Sequence, residues 1–338
     1  MKKTALITGI SGQDGAYLAE LLLQKKYRVI GADRRSSRDD KWRLRKLGIE
    51  NKIEIEYFDL SEITQIIRLF NKYKFDEVYN LAAQSFVASS FTNPITTADV
   101  TGIGVLRMLE VIRNLKKRPK FYQASTSEMF GDVLETPQKI TTPFNPISPY
   151  AVSKLFAHNM CSNYRKAYNM YTVSGILFNH ESPLRGEEFI TRKITTGLSK
   201  IKAGVLDCLE VGNIDSKRDW GYAKDYVKAM WLMLQQKKPR DYIVATGSTH
   251  TVRNFINESI KHFGFKAYWT GKKENEKLKL KKNNKTIIKI NKKFYRPNEV
   301  NMLLGNPSET KRLLKWKPAM NFKELVKLMS LSDLELYN

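Results

Sequence analysis

The sequence predicts an α/β protein built on a doubly wound parallel sheet, with a second, smaller mixed α/β domain. Two observations predict this fold class. Apolar runs of strand length alternate with amphipathic helices through the first half of the chain, and a glycine-rich turn at residues 9–15 directly follows the first run. Such alternation builds βαβ units with parallel strands, as in Rossmann folds, whose ligands bind at the carboxyl ends of the strands. We therefore expect the functional residues at the strand ends.

The individual elements follow from the periodicity of the apolar residues. Val105, Met108 and Ile112 recur at helical spacing, and Pro149 suits the first turn of another long helix. Residues after 178 follow a less regular pattern, which indicates a smaller domain assembled from more than one segment. Strands are predicted at residues 3–8, 28–32, 53–58, 77–81, 120–124, 171–177 and 241–245, and helices at 16–26, 99–114, 149–168 and 223–235.

The composition excludes several classes of protein. The chain has 338 residues, of which 42% are hydrophobic and 27% charged, which is typical of soluble globular proteins and excludes disordered and collagen-like chains. No apolar run is long enough to cross a bilayer, and the start of the chain lacks a signal-peptide cleavage site. Cys161, Cys208 and the four histidines show no metal-ligand spacing. We expect a cytoplasmic protein without a metal site or a membrane partner.

The charge of the chain raises the question of a polyanionic partner. Lysine and arginine number 58 against 34 acidic residues, which gives a net charge of +24. The most basic stretch, residues 272–293, contains ten lysines but no nucleic-acid-binding signature. We interpret it as a solvated surface and predict no nucleic-acid partner, although the charge suits an anionic substrate.

The glycine-rich turn predicts a dinucleotide site. Gly9, Gly12 and Gly15 permit a tight turn and a close approach of the backbone to a pyrophosphate. The helix that follows offers free N–H groups at its amino terminus, where Gln13 and Asp14 lie. A purely structural turn is the alternative, but the position between a strand and a helix favours the dinucleotide.

The end of the second strand bears on which dinucleotide binds. Asp33 lies where an acid would bond the adenosine ribose, whereas Arg34, Arg35, Ser36 and Ser37 suit a 2′-phosphate. We predict NADP, with NAD as the less favoured cofactor, because four consecutive phosphate-compatible groups outweigh one acid. Further cofactor contacts are expected at the ends of the third and fourth strands, at Asp59, Leu60, Leu81, Ala82, Ala83, Gln84 and Ser85.

Four residues form a predicted catalytic group. Tyr150 and Lys154 lie four apart on a predicted helix and share one face. A lysine cation beside a tyrosine stabilises the phenolate and lowers the tyrosine pKa, so that the tyrosine can take a proton from a sugar hydroxyl. Thr126 and Glu128 follow the fifth strand, where residues two apart point the same way. A surface pair and a helix cap are the plain alternatives for these two patterns.

The carboxylate of Glu128 indicates the type of reaction. A plain dehydrogenase needs a hydroxyl donor, a tyrosine and a lysine, but it has no task for a carboxylate. In a dehydratase, oxidation of a hexose at C4 acidifies the C5 proton, and a carboxylate can remove it and help to expel the C6 hydroxyl as water. Return of the hydride to C6 makes the cycle redox-neutral, so the nicotinamide acts as a catalyst.

Seven short sequence motifs, some of them described above, are spread along the chain: GISGQDG at 9–15, RRSS at 34–37, YNLAAQS at 79–85, FYQASTSE at 121–128, FNHESP at 178–183, KRDWG at 217–221 and YRP at 295–297. Through them the chain resembles the extended short-chain dehydrogenase/reductases and, within these, the GDP-mannose 4,6-dehydratase family. The resemblance implies conversion of GDP-mannose to GDP-4-dehydro-6-deoxy-mannose by internal hydride transfer through bound NADP. We expect a dinucleotide-binding domain at 1–178 and 216–247 and a nucleotide-sugar-binding domain at 179–215 and 248–338.

The resemblance also implies roles for single residues. Thr126, Glu128, Tyr150 and Lys154 would be catalytic, and Lys154, with His180 and Arg185, would contact NADP. In the family the double-arginine loop packs against a neighbouring subunit, which implies a homodimer or homotetramer. The GDP-sugar substrate would be held by Ser85, Asn179, Glu181, Lys193, Lys217, Arg218, Arg296 and Glu299.

Three alternatives remain at this point. The same dehydration could act on GDP-manno-heptose for a 6-deoxyheptose surface polysaccharide, since one extra CH(OH) group needs little room and is discriminated only modestly. A 4-keto reductase or an epimerase is less favoured, because neither needs the carboxylate of Glu128. A basic protein that binds without catalysis is disfavoured by the complete catalytic group.

Overall fold

The computed structural model describes residues 2–37, 39–295, 298, 300 and 302–336. Its strands are β1 (Thr4–Thr8), β2 (Arg28–Asp33), β3 (Glu54–Tyr57), β4 (Glu77–Asn80), β5 (Lys120–Thr126), β6 (Thr172–Leu177), β7 (Asn179–Glu181), β8 (Leu209–Val211), β9 (Lys217–Arg218), β10 (Trp220–Tyr222), β11 (Asp241–Val244), β12 (His250–Thr251), β13 (Ala267–Thr270), β14 (Lys277–Leu280) and β15 (Thr286–Ile290). Its α-helices are α1 (Gln13–Gln24), α2 (Trp42–Lys46), α3 (Ile63–Lys72), α4 (Val87–Thr92), α5 (Pro94–Thr97), α6 (Gly104–Arg113), α7 (Pro149–Ala167), α8 (Ile190–Lys202), α9 (Ala223–Leu234), α10 (Val252–His262), α11 (Ser308–Leu314) and α12 (Phe322–Leu334).

A seven-stranded sheet organises the first part of the fold. Its order is β11-β6-β5-β4-β1-β2-β3, and all its neighbouring strands are parallel. Strands β4 and β6 are buried along their whole length, as expected where helices cover both faces. The strand order reverses between β1 and β4, which is where such sheets open a ligand crevice. The predicted fold class is confirmed.

Helices cover the sheet on both faces and fill two apolar cores. On one face α1 and α9 pack on the sheet through residues such as Leu18 and Met230. On the other face α3, α6 and α7 bury Leu69, Met108 and Ala157. These two layers hold the carboxyl ends of β1, β4 and β5 in fixed positions, so the side chains at those ends have a rigid support.

The predicted helix at 99–114 is two different elements. Residues Ala98–Ile103 form a π-helix, and α6 begins only at Gly104. The glycine allows a close approach, because a Cβ at Gly104 would lie 2.8 Å from the Cβ of Leu60. The apolar spacing predicted a helix correctly, but it carries no signal for the wider π-helical turn.

A smaller four-stranded sheet, in the order β13-β14-β15-β8, lies in the second half of the chain. Its inner face and helices α8, α10 and α12 enclose a separate apolar core that contains Leu278, Ile287 and Ile288. The lysine-rich stretch 272–293 supplies β14 and β15 of this sheet. Its apolar residues point to the core, and nine of its ten lysines are exposed. The basic stretch is therefore the exposed surface of two strands and of the turns that flank them.

The described residues contain no candidate membrane span and no candidate metal cluster. None of their helices combines the length and the apolar character needed to span a bilayer. Within the same residues, no cluster of three or more His, Cys, Asp or Glu side chains could hold a metal ion.

Candidate active site

A cleft opens at the carboxyl ends of β1, β4, β5 and β6, where the fold class places ligands. The structure brings most of the predicted site residues together on its walls: Gly9, Gly12, Gln13, Asp14, Gly15, Leu81, Ala83, Ser85, Thr126, Glu128, Tyr150, Lys154, Asn179, His180 and Arg185. These residues come from segments far apart in the sequence, and the ends of the parallel strands bring them together with the first turns of α1 and α7.

The glycine-rich turn has the shape of a nucleotide cradle. Gly9 has a φ of +69°, and a Cβ there would lie 3.0 Å from the backbone of Ala82. A Cβ at Gly15 would lie only 2.3 Å from the carbonyl oxygen of Gly9. Gly12 precedes α1 without a side-chain cap, so the first N–H groups of that helix remain available to an anion. The turn fits the pyrophosphate of a dinucleotide.

A buried ion pair connects this turn to the far side of the cleft. His180 Nε2 lies 2.7 Å from Asp14 Oδ2, and His180 Nδ1 lies 2.8 Å from the carbonyl oxygen of Phe178. Burial disfavours the charged imidazole, but the Asp14 carboxylate outweighs it and raises the pKa of His180. For Asp14, burial is likewise outweighed by the His180 cation, which lowers the pKa of the carboxyl. The pair fixes the start of α1 against β7.

Helix α7 presents the predicted tyrosine and lysine to the cleft. The Ser148 hydroxyl accepts a hydrogen bond from the Ala151 N–H at 3.1 Å, and Pro149 occupies the first turn, which fixes where the helix begins. Tyr150 and Lys154 then lie one turn apart on the buried face, 8% and 4% exposed. The Lys154 amine donates to the carbonyl oxygen of Ala124 at 2.8 Å and lies 5.9 Å from the centre of the Tyr150 ring.

The expected lowering of the Tyr150 pKa is not found in this structure. Burial raises the pKa of Tyr150, and the Glu128 carboxylate raises it further, while a hydrogen bond with the Thr126 hydroxyl lowers it. Burial also lowers the pKa of Lys154 to about 8, so this amine is a weaker cation than an exposed lysine. The four-residue spacing of Tyr150 and Lys154 carries no information on their burial, which opposes both charged forms.

Thr126 and Glu128 share the end of β5 with this pair. The Thr126 hydroxyl accepts from the Glu128 N–H at 3.2 Å, which caps the short 3₁₀ turn Ser127–Phe130. Glu128 is 8% exposed and lines the cleft. Thr126 is therefore a helix cap, as the alternative held, and it also lies on the cleft wall. A hydroxyl, a carboxylate, a phenol and an amine line one cavity.

A second cavity lies at the carboxyl ends of β2 and β3. Its walls include Asp33, Arg34, Arg35, Ser36 and Asp59 of the predicted cofactor residues, together with Ser11 and Arg68. The predicted contact Ser37 is exposed and is not on these walls.

Some predicted residues lie away from both cavities. The Leu60 side chain belongs to the core, and the backbone N–H groups of Ala82 and Gln84 donate to threonine hydroxyls. Glu181 is buried against Arg185, with 3.3 Å between the carboxylate and Nε. Lys193 stacks over Phe294, Lys217 and Arg218 form β9, and Arg296 and Glu299 lie outside the described residues.

Two features were missed by the sequence reasoning. Phe86 and Phe189 form an edge-to-face pair, 5.9 Å between ring centres, on the cleft wall. Arg43 donates to the carbonyl oxygens of Ser11 at 3.0 Å and Leu184 at 2.7 Å, so it ties the glycine-rich turn to the segment before Arg185. Their partners are distant in the sequence, and no local motif marks them.

One buried polar atom of the cleft supports a bound ligand. Within the described part of the chain, Asn179 Oδ1 is buried and has no hydrogen-bond partner. A buried amide oxygen without a partner is costly, and a ligand in the cleft would satisfy it. The cradle, the available helix N-terminus and this atom together fit a nicotinamide dinucleotide beside a polar substrate.

The sequence comparisons agree with this geometry. A family model described as GDP-mannose 4,6 dehydratase matches residues 6–329. The chain belongs to the GDP-mannose 4,6-dehydratase family. It is 50% identical to the GDP-mannose 4,6 dehydratase of Cricetulus griseus, covering 99% of this chain and 92% of that one. It is 49% identical to the GDP-mannose 4,6-dehydratase of Vibrio cholerae serotype O1, covering 99% and 94%.

Solved structures show how widely the fold of this GDP-mannose 4,6-dehydratase family member is shared. The dTDP-glucose 4,6-dehydratase of Bacillus anthracis in complex with NAD has a TM-score of 0.80 at 18% identity, covering 98% of this chain and 96% of that one. RMD from Pseudomonas aeruginosa complexed with NADPH has a TM-score of 0.77 at 20% identity, covering 99% and 100%. At these identities the likeness concerns the fold alone.

Proposed function

We propose that this chain is an NADP-dependent GDP-mannose 4,6-dehydratase that forms GDP-4-dehydro-6-deoxy-mannose. The observation that carries the proposal is the convergence of Thr126, Glu128, Tyr150 and Lys154 on one cleft beside the glycine-rich turn. Family membership over nearly the whole chain supports GDP-mannose as the substrate. The heptose alternative gains no support over GDP-mannose from these comparisons.

The cofactor would be held by the glycine-rich turn, Ser85, Lys154 and His180. When bound, the nicotinamide accepts a hydride from C4 of the sugar and later returns it at C6. Lys154 is the cation on the cleft wall next to the tyrosine. A ribose hydroxyl is a suitable partner for its amine, which in this structure donates to the Ala124 carbonyl oxygen.

Tyr150 would take the proton from the O4 hydroxyl as C4 is oxidised. Burial makes the phenol a poor acid here, so the proton can leave it only when the positive charges of the site favour the phenolate. Thr126, which hydrogen-bonds the phenol, would position the O4 hydroxyl. This division of labour explains why a neutral hydroxyl and a cation both lie beside the tyrosine on the cleft wall.

Glu128 would act on the neighbouring carbon. Its carboxylate removes the C5 proton, which the new C4 ketone has made acidic, and donates that proton to the C6 hydroxyl as it leaves as water. After C6 is reduced, C5 needs a proton, and Tyr150 holds the one it took from O4. The proton balance therefore closes within the site, with one water released.

The choice of NADP over NAD rests on the second cavity. Arg34, Arg35 and Arg68 line it, and such guanidinium groups bind a 2′-phosphate well. Asp33 on the same wall opposes this choice by its charge. Solved structures of this fold hold NAD or NADPH, so they support a nicotinamide cofactor without choosing between the two.

The GDP-sugar would extend from the cleft towards the smaller sheet. Residues 179–215 and 248–338 would form its domain, and 1–178 with 216–247 the dinucleotide domain. Asn179 and Lys193 belong to the segment 179–215, and Arg218 lies just after it. These residues supply the amide and the cations that a sugar diphosphate needs. Within the described residues, the smaller domain has its own apolar core.

A homodimer or homotetramer is proposed from the outer face of α7. Val152 and Phe156 are 54% and 37% exposed one turn apart, and Ile103 beside α6 is 38% exposed. An apolar stripe on two neighbouring helices suits the same stripe of a second copy. Replacing Val152 and Phe156 by glutamate should yield a monomer in light scattering, whereas an unchanged mass would contradict this interface.

The direct test offers the purified protein GDP-mannose and GDP-manno-heptose in competition, without added cofactor and then with NADP or NAD, followed by mass spectrometry. We expect GDP-mannose to lose one water faster than the heptose, and faster with NADP than with NAD. Faster loss from the heptose would overturn the substrate, and no loss from either would favour a reductase or an epimerase.

A matched pair of variants tests the roles. Glu128→Gln should bind both ligands yet stop after C4 oxidation, so that reduced nicotinamide accumulates in a single turnover. Tyr150→Phe should bind them too but form no reduced nicotinamide. Water loss by Glu128→Gln at the wild-type rate would remove Glu128 from the mechanism.

A further inference from the structure

The wall of the second cavity contains an aspartate that is already engaged. Asp33 occupies the position at the end of β2 at which an acid commonly accepts the 2′-hydroxyl of the adenosine ribose. In this structure its Oδ2 accepts the Ser11 backbone N–H at 3.1 Å and also the Ser11 hydroxyl, and its Oδ1 accepts the Arg34 N–H at 2.9 Å. Three of the roughly four acceptor positions of a carboxylate are thereby occupied.

Ser11 is itself fixed from the opposite side. Its carbonyl oxygen accepts a hydrogen bond from Arg43 Nη1 at 3.0 Å, and Arg43 is held by the Leu184 carbonyl at 2.7 Å. The N–H, C=O and hydroxyl of Ser11 are therefore all used. The serine cannot turn towards a ligand without breaking these contacts, so it keeps Asp33 directed to the glycine-rich turn.

Besides Asp33, the walls of the cavity carry three arginines against two further aspartates, Asp40 and Asp59, so the remaining cations outnumber the remaining acids. Arg34, Arg35 and Arg68 are exposed on its walls, and their guanidinium groups form no ion pair within the described residues. A 2′-phosphate carries close to two negative charges and would bring them to these cations. Because Asp33 is hydrogen-bonded to Ser11, its carboxylate neither accepts a hydrogen bond from a 2′-hydroxyl nor blocks the approach of a 2′-phosphate to the arginines.

We infer that the Ser11 hydroxyl sets the nucleotide preference of this chain by holding Asp33 away from the adenosine ribose. The inference rests on the proposed function, since it requires a nicotinamide dinucleotide in the cleft. Ser11 is thus a positioning residue, which acts through Asp33. The acid that opposes NADP in the sequence and the serine of the glycine-rich turn form one hydrogen-bonded unit in the structure.

The test measures dissociation constants of NADP and NAD by calorimetry on the purified full chain, independently of turnover. Ser11→Ala removes the hydroxyl contact of Asp33 and leaves only backbone N–H contacts, so the carboxylate should turn more readily to accept the ribose hydroxyl. We expect NAD to bind about tenfold tighter and NADP several-fold weaker, as for one hydrogen bond to a charged group. Asp33→Asn alone should strengthen NADP binding and leave NAD unchanged. In the double variant the gain for NAD should vanish.

Two controls separate this effect from general damage. Ser11→Thr keeps the hydroxyl and should keep the wild-type ratio of the two constants. Ser61→Ala removes an equivalent hydroxyl, which donates to Asp59 at 2.7 Å in the same cavity, and should also leave the ratio unchanged. Thermal melts confirm that each variant folds.

Two results would decide against the inference. An unchanged ratio in Ser11→Ala would overturn it, as would a tenfold loss of NAD affinity in Asp33→Asn, since Asp33 would then already contact the ribose. If Ser11→Ala does not fold, Asp33→Asn still decides. Failure of the wild-type protein to bind either nucleotide would instead refute the proposed function.

Discussion

Replacement of Gly15 by alanine tests the nucleotide cradle most sharply. The new Cβ would lie 2.3 Å from the Gly9 carbonyl oxygen and 2.7 Å from the Ile10 Cα, which are both backbone atoms of the turn. Ordinary contact is about 3.4 Å, so the turn must move by about 1 Å, and overpacking of this kind costs about 1 to 3 kcal/mol. Because the cradle positions the pyrophosphate, we expect the dissociation constant of NADP to rise at least tenfold.

The assay is calorimetric titration with NADP, supported by thermal melts. Gly48→Ala is the matched control for stability, because Gly48 has a φ of +64° but nothing lies within 4 Å of its Cβ position. That change should lower the melting temperature through backbone strain alone and leave NADP binding intact. If Gly15→Ala binds NADP as tightly as the wild type does, the turn does not hold the nucleotide.

Three further outcomes are expected. Asp333→Leu leaves Arg192, its partner at 2.8 Å, buried without a counter-charge, so unfolding should become easier by about 3 to 5 kcal/mol in denaturant titrations, and adding Arg192→Met should restore part of the loss. The raised pKa of His180 means that its stabilising effect is complete below pH about 6.5 and disappears as the pH rises through the raised pKa. The melting-temperature difference between wild type and His180→Gln should accordingly shrink from pH about 6 to 9, and a growing difference would refute the ion pair with Asp14. Lys154→Met should weaken NADP binding and slow C4 oxidation by about 10² or more, and Lys154→Arg should restore neither fully, as measured by single-turnover kinetics.

Local signals predicted the fold and most of the cleft. The glycine-rich turn, the four-residue spacing of Tyr150 and Lys154, and the pair Thr126 and Glu128 each depend on the backbone of one segment. Parallel strands then bring those segments to one edge of the sheet. Periodicity therefore predicted the strand order along the chain in the large sheet and the meeting of these residues, but not the elements of the smaller sheet.

Properties that depend on distant partners were not predicted. Arg43 contacts carbonyl oxygens 32 and 141 residues away, and no pattern near Arg43 indicates either contact. The predicted lowering of the Tyr150 pKa was wrong, because burial raises this pKa and burial depends on the tertiary fold. In the sequence the charge of Asp33 argues against NADP, because no local pattern indicates its hydrogen bonds with Ser11, which lies 22 residues earlier.

Internal hydride transfer is tested most directly by following the hydrogen at C4 of the sugar. GDP-mannose deuterated at C4 is converted by the purified protein, and the product is examined by NMR and mass spectrometry. We expect loss of one ordinary water and deuterium at C6 of the product, because the hydride removed from C4 returns to the same molecule. Deuterium that stays at C4, or that passes to the solvent while water is lost, would rule out internal hydride transfer.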